Sequence, residues 1–146
     1  MNRIFNPETS AFILRVALAI VLISHSLYLK MVVYTLPGTA EFFASIGLPE
    51  SLAYIVFFTE GVVGIALLIG FKTRLFSVFI IPILLGATWV HFPNGWLFSN
   101  TGGGWEYPML LAIMAIAQLG MGDGKYAISA YFPSKNYVAA HRSSIL

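Results

Sequence analysis

The chain has 146 residues, of which 58% are hydrophobic and only 10% charged. A soluble domain carries about 25% charged residues, so a globule coated by a solvated surface is excluded, and a mean hydropathy of +0.83 makes lipid the fitting solvent. A formal net charge of +2 leaves no nucleic-acid footprint, and the lack of cysteine excludes disulfides, thiol redox chemistry, iron–sulfur clusters and c-type haem attachment within the chain.

The predicted fold is all-α: a four-transmembrane-helix bundle forming a single membrane domain over residues 1–146, with both termini cytoplasmic. About 20 apolar residues cross a bilayer core. The first span covers about 11–33, after the helix-starting run Pro7-Glu8-Thr9-Ser10. It is too long for a signal-peptide core, so a retained helix is expected. The second covers 51–71, after Pro49. The third covers 75–92 and contains Pro82, a candidate kink. The fourth covers 105–121 and is short. Between the first two lies LPGTAEFFASIGLP, Leu36 to Pro49. Pro37 and Thr39 can start a helix there, Gly47 can stop it, and Phe42, Phe43 and Ile46 give it an apolar side. A short helix at the outer interface is expected. The second outer loop, His91 to Pro108, carries the interfacial aromatics Trp96, Trp105 and Tyr107. The tail, 125–146, reads as interfacial through Tyr126, Ile128, Tyr131 and Phe132, with a loose end.

Orientation follows the basic residues. Arg3 and Arg15 precede or open span one, Lys72 and Arg74 occupy the turn between spans two and three, and Lys125, Lys135 and Arg142 follow span four. The remaining loops hold only Lys30. The Lys72–Arg74 turn and both ends are therefore placed inside.

Ionisable residues inside the spans are the informative ones, because each costs roughly 2.5–3.5 kcal/mol at the bilayer centre. Glu60 sits near the middle of span two, with Ala53 and Gly64 on about the same face. His25, flanked by two serines, His91 and Glu106 come from three other helices at nearly one depth, toward the outer side. Imidazole and carboxylate together can bind a metal, relay protons or hydrogen-bond a quinone. Glu60, His91, Glu106 and His25 are the candidate catalytic residues, and Trp96, Trp105, Tyr107 and Asn100 the candidate substrate-binding ones. The competing reading makes Glu60 an interhelical hydrogen bond without chemistry, and His91 and Glu106 interfacial or capping groups. No local ligand spacing points to a metal. Arg15 and Lys30 are expected to snorkel to opposite surfaces, and Gln118 to act as interhelical glue.

The stretches LRVALAIVLISHSLYLK (Leu14 to Lys30), PGTAEFFASIGLP (Pro37 to Pro49), TEGVVGIALLIGFKTRL (Thr59 to Leu75) and WVHFPNGWLFSNTGGGWEYP (Trp89 to Pro108) resemble the DoxX family of small inner-membrane proteins of bacteria and archaea. That resemblance implies four transmembrane helices and a redox setting. DoxD and DoxX relatives are associated with thiosulfate:quinone oxidoreductase or terminal quinol oxidase preparations, and another is linked to membrane complexes that handle oxidative stress. It leaves the reaction open.

Three functions compete. The first is a redox-associated subunit binding a quinone or similar apolar substrate at the outer polar cluster, as part of a quinone-linked oxidoreductase in the bacterial inner membrane. The second is a non-catalytic anchor or assembly subunit for a partner oxidoreductase. The third is a small solute or proton-coupled carrier, for which four helices are few unless the chain forms a homo-oligomer. Quinone is the cofactor considered. A bis-histidine haem on His25 and His91, like a metal, ranks below it.

Overall fold

The computed structural model describes residues 6–131; Arg3, Phe132, Lys135 and Arg142 lie outside the described residues. Helix α1 spans Pro7–Ile23. It begins where the capping chemistry dictates: Asn6 Oδ1 accepts the Thr9 N–H at 2.8 Å, and Pro7 occupies the first turn, where no N–H partner is missed. The start is therefore four residues earlier than the apolar run alone indicates.

Beyond Ile23 the same rod continues as a π-helix over Ser24–Val33, closing with the Tyr34 N–H on the Leu29 carbonyl, five residues back, at 2.8 Å. Such winding is rare, usually a single turn, and often found at functional sites. Helix α2, Leu36–Ser45, is capped by Thr35, whose hydroxyl accepts the Gly38 N–H. It buries Thr39 and Ala40, while Phe42, expected on its apolar side, stands exposed beside Ile46. Helix α3 runs Glu50–Ile69 and stops at Gly70, where the backbone turns left-handed at φ +72. A side chain at Gly70 would collide with the Arg15 guanidinium and with Ala127. Helix α4, Thr73–His91, passes unbroken through Pro82, and a 3-10 turn follows at Phe92–Asn94. Helix α5 is Glu106–Met121.

Three rods are long and apolar enough to cross a membrane: Pro7–Val33, Glu50–Ile69 and Thr73–Asn94. Helix α5 is apolar but has 16 residues, about 24 Å at the α-helical rise. The outward faces carry Ile20, Ile55, Phe58, Phe79, Leu110 and Ile113 in the open, as lipid requires.

The main interfaces are α4 on α5 and α1 on α3. The core is Leu18, Leu22, Val63, Leu67, Ile80, Leu84 and Leu111, with Ala19, Ala112 and Ala115 between them. Small residues let helices approach closely where lipid gives no hydrophobic drive. At Gly64 a methyl group would stand 2.7 Å from Ile23 Cγ1 and 3.2 Å from the Ile23 backbone nitrogen. The backbones of α1 and α3 therefore pack closely at this point.

The two ends of the bundle differ. The turn end, at Gly70–Thr73, is closed by a strap, residues 122–131. The Lys125 N–H donates to the Glu8 carbonyl, the Ser129 N–H to the Gly70 carbonyl, and the Thr73 N–H and hydroxyl both donate to Asp123 Oδ1, at 2.8 and 2.6 Å. The tail expected from residue 125 is thus bonded to the bundle by its first residues, while Tyr126 and Tyr131 stand exposed. The loop end carries α2 and the 92–105 segment.

Arg15 corrects an expectation. It does not snorkel; it is fully buried, and its guanidinium donates to the carbonyls of Leu67, Leu68 and Lys125 at 3.0, 3.2 and 2.9 Å. The carbonyls at a helix C-terminus lack internal partners and carry the negative end of the dipole, so a cation placed there replaces water. Gln118 is likewise less an interhelical group than a local one, with Nε2 donating to the Gly122 carbonyl of its own helix end at 2.6 Å.

Candidate functional site

The one ion pair among the described residues joins Lys30 Nζ to Glu60 Oε2 at 2.6 Å. Both side chains are nearly out of contact with the surroundings, at 14% and 8% exposure. Lys30 was expected at the outer surface and instead turns inward. Two physical causes act together. In a helix each Cα–Cβ bond tilts toward the N-terminus, so Lys30, late in its rod, reaches back toward the bundle's middle. Glu60 belongs to the antiparallel α3 and leans the other way, toward the loop end. Lys30 lies in the π-wound segment Ser24–Val33, which packs against α3. Ser26, one turn earlier, is fully buried, and its hydroxyl donates to the Phe57 carbonyl at 2.9 Å. The small Gly61 opposite leaves room for that contact.

His25 is half-buried on the same segment. Its ring stacks on Tyr107 at a centroid distance of 6.0 Å and an interplanar angle of 24°. Neither the imidazole of His25 nor the hydroxyl of Tyr107 has a hydrogen-bond partner among the described residues. The structure pairs Lys30 with Glu60 and, separately, stacks His25 on Tyr107; His25 and Lys30 share the segment Ser24–Val33.

The other candidates build the loop. His91 Nδ1 lies 3.1 Å from the carbonyl oxygens of both Gly102 and Gly103. Carbonyls only accept, so Nδ1 carries a proton there. Asn94 Nδ2 donates to the same two carbonyls, and Asn100 Nδ2 donates to the Asn94 carbonyl at 2.8 Å. Glu106 Oε1 accepts the Phe98 N–H at 2.6 Å. Trp105 stands edge-on to Trp96 at 4.4 Å and stacks on Phe92 at 5.4 Å. His91, Glu106 and Asn100 thus have backbone partners, while Trp96 remains half exposed as part of an aromatic rim. Among the described residues no group of three or more His, Asp or Glu is placed to hold a metal ion.

Sequence reasoning missed Lys30 as a site residue, because a lysine near the end of an apolar run ordinarily escapes to the surface. The signal that could have found it is the need of Glu60 for a cation from a neighbouring helix.

Over 87 residues the chain is 34% identical to a Bacillus subtilis (strain 168) protein named "Putative oxidoreductase CatD", a match covering 60% of this chain and 61% of that protein. The match thus takes in less than two thirds of the relative's length. No solved structure matches the chain. The family model of DoxX matches residues 10–93, more than half of the chain, a stretch that holds His25, Lys30, Glu60 and His91 and stops short of Glu106 and Tyr107. This multi-pass membrane protein belongs to the DoxX family.

Proposed function

We propose that the chain is a redox-associated membrane subunit that binds a quinone, or an apolar acceptor of the same kind, between its helices beside the Lys30–Glu60 pair. The observation that supports this most is the pair itself. A nearly buried lysine and a buried glutamate, with an imidazole on the same segment as the lysine and a phenol stacked on it that have no hydrogen-bond partner among the described residues, supply proton donors and acceptors in an apolar bundle. Burying two charges costs several kcal/mol per ion and is weak evidence for stability as such, whereas intramembrane ionisable groups mark functional sites by default.

A quinone takes up two protons with two electrons. In this reading the ammonium of Lys30 orients one carbonyl, Glu60 and His25 each pass one of the two protons and are reprotonated from water at the loop end, and Tyr107 fixes the imidazole plane. His91, Glu106 and Asn100 hold the loop that bounds the entrance, and Trp96 and Trp105 form its rim. The electrons come from a partner oxidoreductase subunit. Helix α5 serves as a fourth span, shortened by local thinning of the bilayer. Both termini lie in the cytoplasm, and the membrane is the bacterial inner membrane. The name of the Bacillus relative agrees with an oxidoreductase setting.

The test is saturable binding of ubiquinone or menaquinone to protein in lipid nanodiscs. Wild type should bind, Glu60→Gln and Lys30→Met should each weaken binding at least tenfold, and equal binding by all three would refute the site.

A second reading, a non-catalytic anchor, is favoured by the engagement of His91 and Glu106 with backbone groups. It predicts that Glu60→Gln leaves cellular function intact while a partner still co-purifies.

A further inference from the structure

At the turn end, Lys72 stands where glycine would be less strained. It precedes α4 with φ +44 and ψ +47, in the left-handed region that disfavours any residue with a Cβ. The strap holds it there, with Ser129 Oγ accepting the Lys72 N–H at 2.9 Å. A non-glycine residue kept in such a conformation invites a functional reading of its side chain. That side chain is exposed, with the ammonium 5.4 Å from the centroid of the Phe71 ring. Arg74 is exposed too, and its guanidinium makes one long contact, 3.4 Å, to the Gly120 carbonyl.

Neither cation has a carboxylate partner among the described residues. All six aspartates and glutamates of the chain lie among the described residues, and the one ion pair there is Lys30–Glu60. Asp123, on the strap, is taken by both donors of Thr73. The surroundings are those of a membrane interface. Tyr126 and Tyr131 are each 81% exposed on the strap, and on α4 the open side chains of Leu75 and Phe79 continue from Arg74 toward the hydrocarbon.

We infer that this surface binds the headgroup of an anionic phospholipid, with Lys72 and Arg74 on its phosphate and an acyl chain along Leu75 and Phe79. A lipid fits better than soluble phosphate because the cations sit at the edge of an exposed apolar ridge and not in an enclosed pocket. Arginine matches phosphate geometry with its planar fork, while lysine supplies a point charge.

The experiment is native mass spectrometry of the full chain in detergent, offered phosphatidylglycerol and phosphatidylcholine in equal amounts. Wild type should retain phosphatidylglycerol preferentially. Each lost cation should weaken retention about fivefold, so Lys72→Gln/Arg74→Gln together should cost about 25-fold. Glu50→Gln, at the opposite end, should change nothing. Lys72→Gly separates lipid from fold: it should lower retention while the melting temperature holds or rises, because the left-handed strain is relieved. Equal retention of the two lipids by wild type, or undiminished phosphatidylglycerol on the double variant, would overturn the site. Displacement of the lipid by millimolar inorganic phosphate would make it a soluble-phosphate site instead and equally overturn the proposal.

Discussion

Removing Lys30 while leaving Glu60 in place should destabilise the protein far more than removing both. At 2.6 Å the gross attraction is about 6 kcal/mol if the effective dielectric constant is about 20. Desolvation of two ions offsets most of it, so the pair contributes little net stability. Lys30→Met leaves a buried carboxyl without its partner, which should cost about 3–5 kcal/mol. Glu60→Leu alone should cost a similar amount, through a stranded ammonium. Lys30→Met/Glu60→Leu should return to within about 1 kcal/mol of wild type, or exceed it, because apolar groups of similar volume replace a costly pair. Reversible unfolding in mixed micelles, followed by circular dichroism, gives the three free energies and hence the coupling. Additive losses, or a Lys30→Met loss below about 1 kcal/mol, would show that the two groups do not meet and would remove the basis of the proposed site.

Arg15→Lys should lose about 2–3 kcal/mol in the same assay, since a single ammonium cannot reach three carbonyls held by a planar fork. Gly64→Ala should cost about 1–3 kcal/mol by overpacking α1 against α3, whereas Gly86→Ala, which meets nothing within 4 Å, should be neutral or stabilising by up to about 1 kcal/mol. Glu106→Ala removes the acceptor of the Phe98 N–H, so the Trp96–Trp105 contact should loosen, read as a red shift of tryptophan emission. An unchanged spectrum would mean that the loop is held by His91 and Asn94 alone.

Hydropathy located the three long rods and α5, and the breakers Pro37 and Gly47 located the short α2, because apolar length and breaker residues act locally. It did not locate what depends on phase or direction. Lys30 lies in a π-wound segment, and its inward turn follows the opposite lean of side chains in antiparallel helices. Neither leaves a mark on a 3.6-residue periodicity. Arg15 was misread for a related reason: a cation near a span end has two ways to satisfy itself, water or the free carbonyls of a neighbouring helix. Only the position of the α3 terminus, set by Gly70, decides between them. Asp123 and the strap were unreadable because their partners, Thr73 and Glu8, are 50 or more residues away in the chain. At the loop end the residue types were legible, but not whether His91 and Glu106 face a ligand or the backbone.

The strap also bears on how topology is to be mapped in cells. A reporter fused directly after Met121 would keep every hydrophobic helix yet discard the segment that receives Arg15 and Thr73. Such a truncation would report the location of a damaged bundle. Fusion points downstream of Tyr131 keep those contacts and are the ones whose readout describes the intact protein.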